Sequence, residues 1–133
     1  MRNPNNVFHL AIPSHDLDLA YHFFVELLGC RLARRYNDRI TLELFGDQIV
    51  CHLDPEFIPE EPKMYPRHFG ITFREKKDFD IFYETAKEKD IPFFKDLFVR
   101  FSGKQEEHHT FFLCDPSNNL LEFKWYHDSE MMY

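Results

Sequence analysis

Apolar residues fall in short blocks whose spacing alternates between two periods, and the order of the blocks repeats in the two halves of the chain. Val7 to Ile12 is an apolar run with one polar interruption, His9, closed by Pro13, and it predicts a buried strand. From Ser14 the spacing changes. Leu17, Ala20, Tyr21, Phe24, Val25 and Leu28 recur at steps of three and four, which predicts a helix capped by Ser14 or Asp16 and stopped by Gly29. Three strands should follow, Arg31 to Tyr36, Arg39 to Phe45 and Gln48 to Leu53. They are separated by Asn37-Asp38 and Gly46-Asp47, dipeptides that tolerate the positive φ of tight hairpins.

Pro55, Pro59, Pro62 and Pro66 make the next stretch, residues 54–66, a semi-rigid extended loop. Beyond it the order returns: a strand from Arg67 to Phe73 and a helix from Lys76 to Lys89 with Phe79, Phe82, Tyr83 and Ala86 as its apolar stripe. Strands at Phe93 to Arg100, His108 to Cys114 and Asn119 to Tyr126 complete it. His9-Leu10-Ala11-Ile12 is echoed by His68-Phe69-Gly70-Ile71, and Asp16 to Tyr21 by Asp78 to Tyr83. A duplicated β-α-β-β-β unit explains both echoes. The expected fold is therefore α+β, a single domain over 1–133 with modules at 6–53 and 67–126 joined by 54–66. Each module is a mixed sheet with a helix on one face, and the sheets are expected to curl around a central cavity on which equivalent residues converge.

The chain has 133 residues, enough for one domain, with 16 Phe, 6 Tyr and 1 Trp to bury. The net charge of -7 is spread along it without a basic stripe, which argues against nucleic acid as a partner. There is no apolar run long enough to span a membrane, and Met1 to Asn6 is too polar to begin a signal peptide, so no membrane association and a cytoplasmic location are expected. Cys30, Cys51 and Cys114 form no CxxC pair and read as buried, reduced thiols. So many aromatics predict leftover apolar surface and a homodimer, whether the modules pair within one chain or between chains.

His9 and His68 hold the same place in the two first strands. A lone imidazole in an apolar run is ordinarily a satisfied core residue, but two at repeat-equivalent positions can meet at a pseudo-twofold axis, and neutral imidazole binds divalent transition metals. Glu122 lies within Leu120 to Lys124, where an ionised carboxylate needs a partner, a metal or a wet face. His52, in the last strand of the first module, either takes the counterpart of Glu122 or caps the Asp54-Pro55 turn.

The segments Phe8 to Ile12, Asp16-Leu17, Phe23-Phe24, Leu28-Gly29 and Asp115 to Phe123 together resemble the vicinal oxygen chelate superfamily, the group of glyoxalases, bleomycin-resistance proteins and extradiol dioxygenases. The resemblance implies paired β-α-β-β-β modules and a divalent metal ion, Fe(II), Mn(II) or Zn(II), held by His9, His68 and Glu122 with His52 at a variable fourth position. It does not fix the reaction, because this scaffold hosts isomerisation, thiol addition, ring cleavage and ligand sequestration. Glyoxalases and epimerases resemble one another in a carboxylate or amide at the fourth position, where this chain has His52. Against the extradiol signature, Phe112 replaces Tyr, Asn118 replaces Gly, and the preceding histidine is missing. His108 and His109 come closest to replacing it; strand alternation sends one of them inward as a general base, unless both are exposed. Arg34, Arg35, Arg39, Arg67 and Arg100 are candidates to hold an anionic substrate or are solvated surface charges. The implied function is a metal-dependent enzyme, dioxygenase-like or lyase-like, acting on a small oxygenated substrate through neighbouring oxygens. The alternative is a metal-free small-molecule binding protein of the bleomycin-resistance kind.

Overall fold

The structure is a computed structural model that describes Asn3 and residues 5–133. It is α+β, with two four-stranded mixed sheets. Strand β1 (His9–Ser14) is followed by helix α1 (Leu17–Tyr21), which widens into a π-helical stretch over His22–Leu27, and then by β2 (Arg31–Arg35), β3 (Arg39–Leu44) and β4 (Asp47–Leu53). The second series is β5 (Phe69–Phe73), α2 (Lys76–Glu88), β6 (Phe93–Arg100), β7 (His108–Cys114) and β8 (Leu120–Tyr126). The strand orders are β1-β4-β3-β2 and β5-β8-β7-β6, so each first strand runs parallel beside the last strand of its own series. A parallel neighbour demands a crossover, and α1 and α2 begin those crossovers.

Two compact units result, one reaching Glu60 and including Pro116–Asn118, the other Glu61–Asp115 with Asn119–Tyr133. The turn Pro116–Asn118 is tied to the first unit through Ser117 Oγ, which accepts from the His15 amide at 3.0 Å, and through Asn118 Nδ2, which donates to the Pro59 carbonyl at 2.8 Å.

In the first unit Asp16 is the helix cap. Its Oδ1 accepts from the amides of Asp18 and Leu19 at 2.8 and 3.0 Å, and these bonds, Leu19's first, hold its carboxyl below the ordinary carboxylate range. The π-helical stretch buries both Phe23 and Phe24, with their rings 5.0 Å apart edge to face. Pro13 lies inside β1 instead of closing it, which is tolerated because β1 is an edge strand. The β3–β4 hairpin turns on Phe45 and Gly46, at φ 50° and 85°, one residue earlier than Gly46-Asp47. Asn37 and Asp38 make their turn without positive φ.

In the second unit the face of the sheet toward α2 is an aromatic core. Phe111 of β7 and Phe123 of β8 stack with centroids 5.4 Å apart, Phe82 of α2 lies 4.5 Å from Phe123, and Phe73, Phe79, Tyr83 and Phe93 surround them. Strand alternation then commits Leu120, Glu122, Lys124, Phe112 and Thr110 to the opposite face. One position joins the two strands beside Glu122. Gly70 of β5 pairs with Glu122 of β8, and a Cβ on Gly70 would stand 1.7 Å from the Glu122 carbonyl oxygen, so the strands meet here at a separation only glycine permits.

Two stability predictions follow from this packing. Gly70→Ala should cost about 1–3 kcal/mol or more by urea denaturation, because β5 must move off β8; unchanged stability would show that the strands separate freely. Phe111→Ala should cost about 3–5 kcal/mol through lost ring contacts and the cavity left behind.

Candidate functional site

The face of the second sheet that α2 leaves uncovered carries the polar cluster. Glu122 is 6% exposed. Its Oε1 accepts from the Thr110 hydroxyl at 2.9 Å, while Oε2 lies 3.2 Å from Lys124 Nζ and 3.2 Å from His68 Nε2. Register builds this arrangement. Thr110 pairs with Lys124 across the β7–β8 ladder and so sits diagonally from Glu122, while Lys124 is the next residue of β8 on the same face. A carboxylate taken out of water costs several kcal/mol unless opposite charge and hydrogen bonds replace the lost solvation, and these three side chains supply both.

His68 lies immediately before β5, not inside it, and its ring is fixed by the chain that precedes it. Nδ1 is 2.6 Å from the Met64 carbonyl oxygen, which can only accept, so Nδ1 carries the proton of that bond. In the neutral ring Nε2 then holds a lone pair, aimed at a carboxylate oxygen that holds lone pairs of its own. Two acceptors facing each other at 3.2 Å need a positive charge between them, a shared proton or a metal ion. Two donors bound to one ion at about 2.1 Å and near a right angle stand about 3.0 Å apart, so the pair has a spacing that fits adjacent ligands. An imidazole whose other N–H is held by a carbonyl is also the usual ligand arrangement.

Aromatic rings frame the pair. The rings of Tyr65 and Phe112 lie edge-on to His68 at 5.8 and 5.4 Å. Arg100, at the end of β6, donates from Nη1 to the Tyr65 hydroxyl, and its guanidinium also lies over the Phe101 ring at 5.1 Å.

The two adjacent histidines of β7 part company. His108 is buried on the Glu122 face, against the Tyr126 ring at 4.6 Å, with Nδ1 bonded to the Glu106 carbonyl oxygen at 2.9 Å. His109 faces the α2 side, 5.7 Å from the Trp125 ring. Burial first, then the charges of Lys76 and His127, push its pKa down. Of the two, His108 shares the face of Glu122.

In the first unit His9 opens β1, exposed, and its Nδ1 is 2.6 Å from Gln48 Oε1 across the parallel ladder. The amide oxygen accepts, so Nε2 is again left with the lone pair. His52 is exposed at the far end of β4. The registers revise its expected equivalence. With His9 matched to His68, Ala11 matches Gly70 and Pro13 matches Thr72; Ala11 pairs with Val50 and Gly70 with Glu122, whereas Pro13 pairs with His52 and Thr72 with Lys124. The counterpart of Glu122 is therefore the buried, apolar Val50, and His52 corresponds to Lys124.

Among the described residues no group of three or more His, Cys, Asp or Glu side chains is placed to hold a metal ion; of the predicted donors, His68 and Glu122 are brought together. None of the three cysteines is in a disulfide, and burial pushes the Cys30 thiol up to about 12 and that of Cys114 up to about 11, which leaves neither as a nucleophile near neutral pH. Sequence reasoning missed Thr110, whose signal was one hydroxyl inside the run Thr110-Phe111-Phe112-Leu113; strand alternation put Lys124 on the face of Glu122 but gave it no role. Tyr65 and the Met64 carbonyl left no signal, since a loop has no period.

No curated protein matches the sequence. Solved structures do. A crystal structure of a glyoxalase/bleomycin resistance protein/dioxygenase from Alicyclobacillus acidocaldarius is 67% identical, aligned over 100% of both chains with a TM-score of 0.95. Lactoylglutathione lyase from Agrobacterium tumefaciens shares the fold at 15% identity, covering 99% of this chain and 100% of its own, with a TM-score of 0.69. So does the fosfomycin resistance protein FosX from Listeria monocytogenes, at 16% identity, 96% and 98% coverage and a TM-score of 0.70. The family model described as Glyoxalase/Bleomycin resistance protein/Dioxygenase superfamily matches residues 6–123, and with the repeated β-α-β-β-β units this places the chain in that superfamily.

Proposed function

We propose that the protein is a divalent-metal-dependent enzyme, dioxygenase-like or lyase-like, acting on a small substrate through two neighbouring oxygens. The observation that carries the reading is the approach of His68 Nε2 to Glu122 Oε2 with the other imidazole nitrogen tied to the Met64 carbonyl. His68 and Glu122 are the first two ligands. For His9, its repeat equivalence to His68 and the Gln48 bond that leaves its Nε2 the same lone pair support a ligand role of its own. Val50 at the counterpart of Glu122 supports a set of two histidines and one carboxylate, which leaves coordination positions for substrate. Such an ion would hold the two substrate oxygens and draw negative charge onto them. His108, with Nδ1–H held by the Glu106 carbonyl oxygen, keeps Nε2 as the atom that takes or returns a proton.

A metal-free binding protein is the second reading, favoured by one contact. Lys124 and Thr110 by themselves give the Glu122 carboxylate a counter-charge and a hydrogen bond.

Elemental analysis of the purified protein separates the two readings. His68→Ala and Glu122→Gln should each abolish stoichiometric Mn(II), Fe(II) or Zn(II) with the circular-dichroism spectrum retained; full metal content in either variant would refute the site. Gln48→Ala should weaken metal binding about 10–100-fold if His9 is a ligand, as loss of a supporting hydrogen bond commonly does. His52→Ala should leave metal affinity unchanged, and a large loss would restore His52 as a fourth ligand. Small-molecule binding that survives complete chelation would favour the second reading.

A further inference from the structure

The arginines of the chain sort themselves by their partners. Arg31 pairs with Glu43, Arg35 with Asp18 and Arg39 with Asp38, all at exposed positions where such pairs contribute little. Arg74 donates to the Tyr133 hydroxyl at an exposed position. Arg100 is half-buried, and its contacts are the Tyr65 hydroxyl and the faces of the Tyr65 and Phe101 rings, with no carboxylate among the described residues. Register places it on the Glu122 face, because Arg100 pairs with His108, which pairs with Tyr126 in the same row of β8. Tyr65, the residue it bonds, lies edge-on to His68.

Charge on this face is unbalanced. Lys124 neutralises Glu122, and Lys95, seated 3.9 Å above the Phe98 ring, adds a second ammonium near Phe112, the residue opposite Glu122. Arg100 is left as a guanidinium bonded to the Tyr65 hydroxyl, with its carbon 5.8 Å from the Tyr65 ring centre and 5.1 Å from that of Phe101. A guanidinium so placed keeps unused N–H donors in the geometry that oxyanions accept.

We propose that Arg100 and Tyr65 form an anchor for an oxyanionic group, carboxylate or phosphonate, and hence that the substrate is an anion whose charged end lies beside its chelating oxygens. The anchor orients the substrate on the His68 side of the face. Tyr65 gives it direction: its hydroxyl accepts from Arg100 and has its own proton to donate to the same anion. The inference deepens the metal reading and rests on it for the chelating end of the substrate.

A matched pair of probes tests it. Acetohydroxamic acid carries two neighbouring oxygens and no other charged group, and phosphonoacetohydroxamic acid adds only the phosphonate. In calorimetric titrations of the Mn(II)-loaded protein the phosphonate should tighten binding by about ten- to a hundredfold, the worth of a charge-assisted hydrogen bond. Arg100→Met should erase that advantage and Tyr65→Phe reduce it, while both leave the affinity for acetohydroxamic acid unchanged. Equal affinity of the two probes for the wild type, or an advantage that survives in Arg100→Met, would overturn the anchor. If acetohydroxamic acid does not bind the loaded wild type, the metal reading fails and phosphonoacetate alone decides the anchor: saturable binding lost in Arg100→Met supports it, and its absence in the wild type overturns it. Arg100→Lys, which keeps the charge and loses the planar fork, should recover only part of the effect.

Discussion

A carboxylate buried in an apolar sheet is the constraint from which the second unit is built. Glu122 sits between Leu121 and Phe123, whose side chains enter the aromatic core under α2, so its own side chain has no alternative to the opposite face. There the cost of desolvation must be offset locally, and every nearby choice serves that end. Thr110 comes diagonally across the β7–β8 ladder, Lys124 follows two residues on, and His68 approaches from the start of β5. Gly70 lets β5 lie close enough to β8 at this row for the ladder to hold. An apolar residue at 122 would satisfy the sheet with none of these partners, so the cluster is a cost of folding that packing does not account for.

The two units solve the same placement problem with different atoms. In each, an imidazole at the start of the first strand has Nδ1 bound by an oxygen acceptor, but the acceptor is the Gln48 side chain in one and the Met64 backbone in the other. A side-chain acceptor depends on one residue of β4. A backbone acceptor depends on the path of the Pro-rich loop that delivers Met64. That loop therefore has a structural reason to be stiff: a chain that wandered would release the Met64 carbonyl from Nδ1 and let the imidazole turn.

Much of this was legible in the sequence because it rests on period and repeat. The strand and helix order, the break at Gly29 and the long α2 were all set by apolar spacing, and Glu122 stood out as a charge in an apolar run. What escaped was set by geometry with no period. The π-helical stretch after Tyr21, in which Phe23 and Phe24 are both buried, has no signal in the steps of three and four that mark a helix. The β3–β4 hairpin slipped one residue to Phe45-Gly46 because its register was settled by the pairing of Leu44 with Asp47. His52 was matched to Glu122 by its place in the last strand of its module, but a parallel ladder counts from its partner strand. Counting from His9 moves the match to Val50.

That shift changes the chemistry expected of the first unit. A histidine at the counterpart of Glu122 would give the two units matching polar rows, whereas Val50 leaves that row of the first unit apolar and only the second carries a carboxylate there. Under the metal reading a divalent ion on Glu122 keeps a net charge of +1, and the Lys124 ammonium beside Glu122 raises the positive charge further. A neutral chelating molecule would leave that charge uncompensated in a face where Thr110 and Phe112 are fully buried. An anionic one would not, and the guanidinium of Arg100, which has no carboxylate of its own among the described residues, lies on the same side of the sheet. The electrostatics that bury Glu122 and the arginine left unpaired on that face thus favour the same class of ligand by separate routes, one through the charge a metal would bring and the other through side chains that carry their charge with or without it.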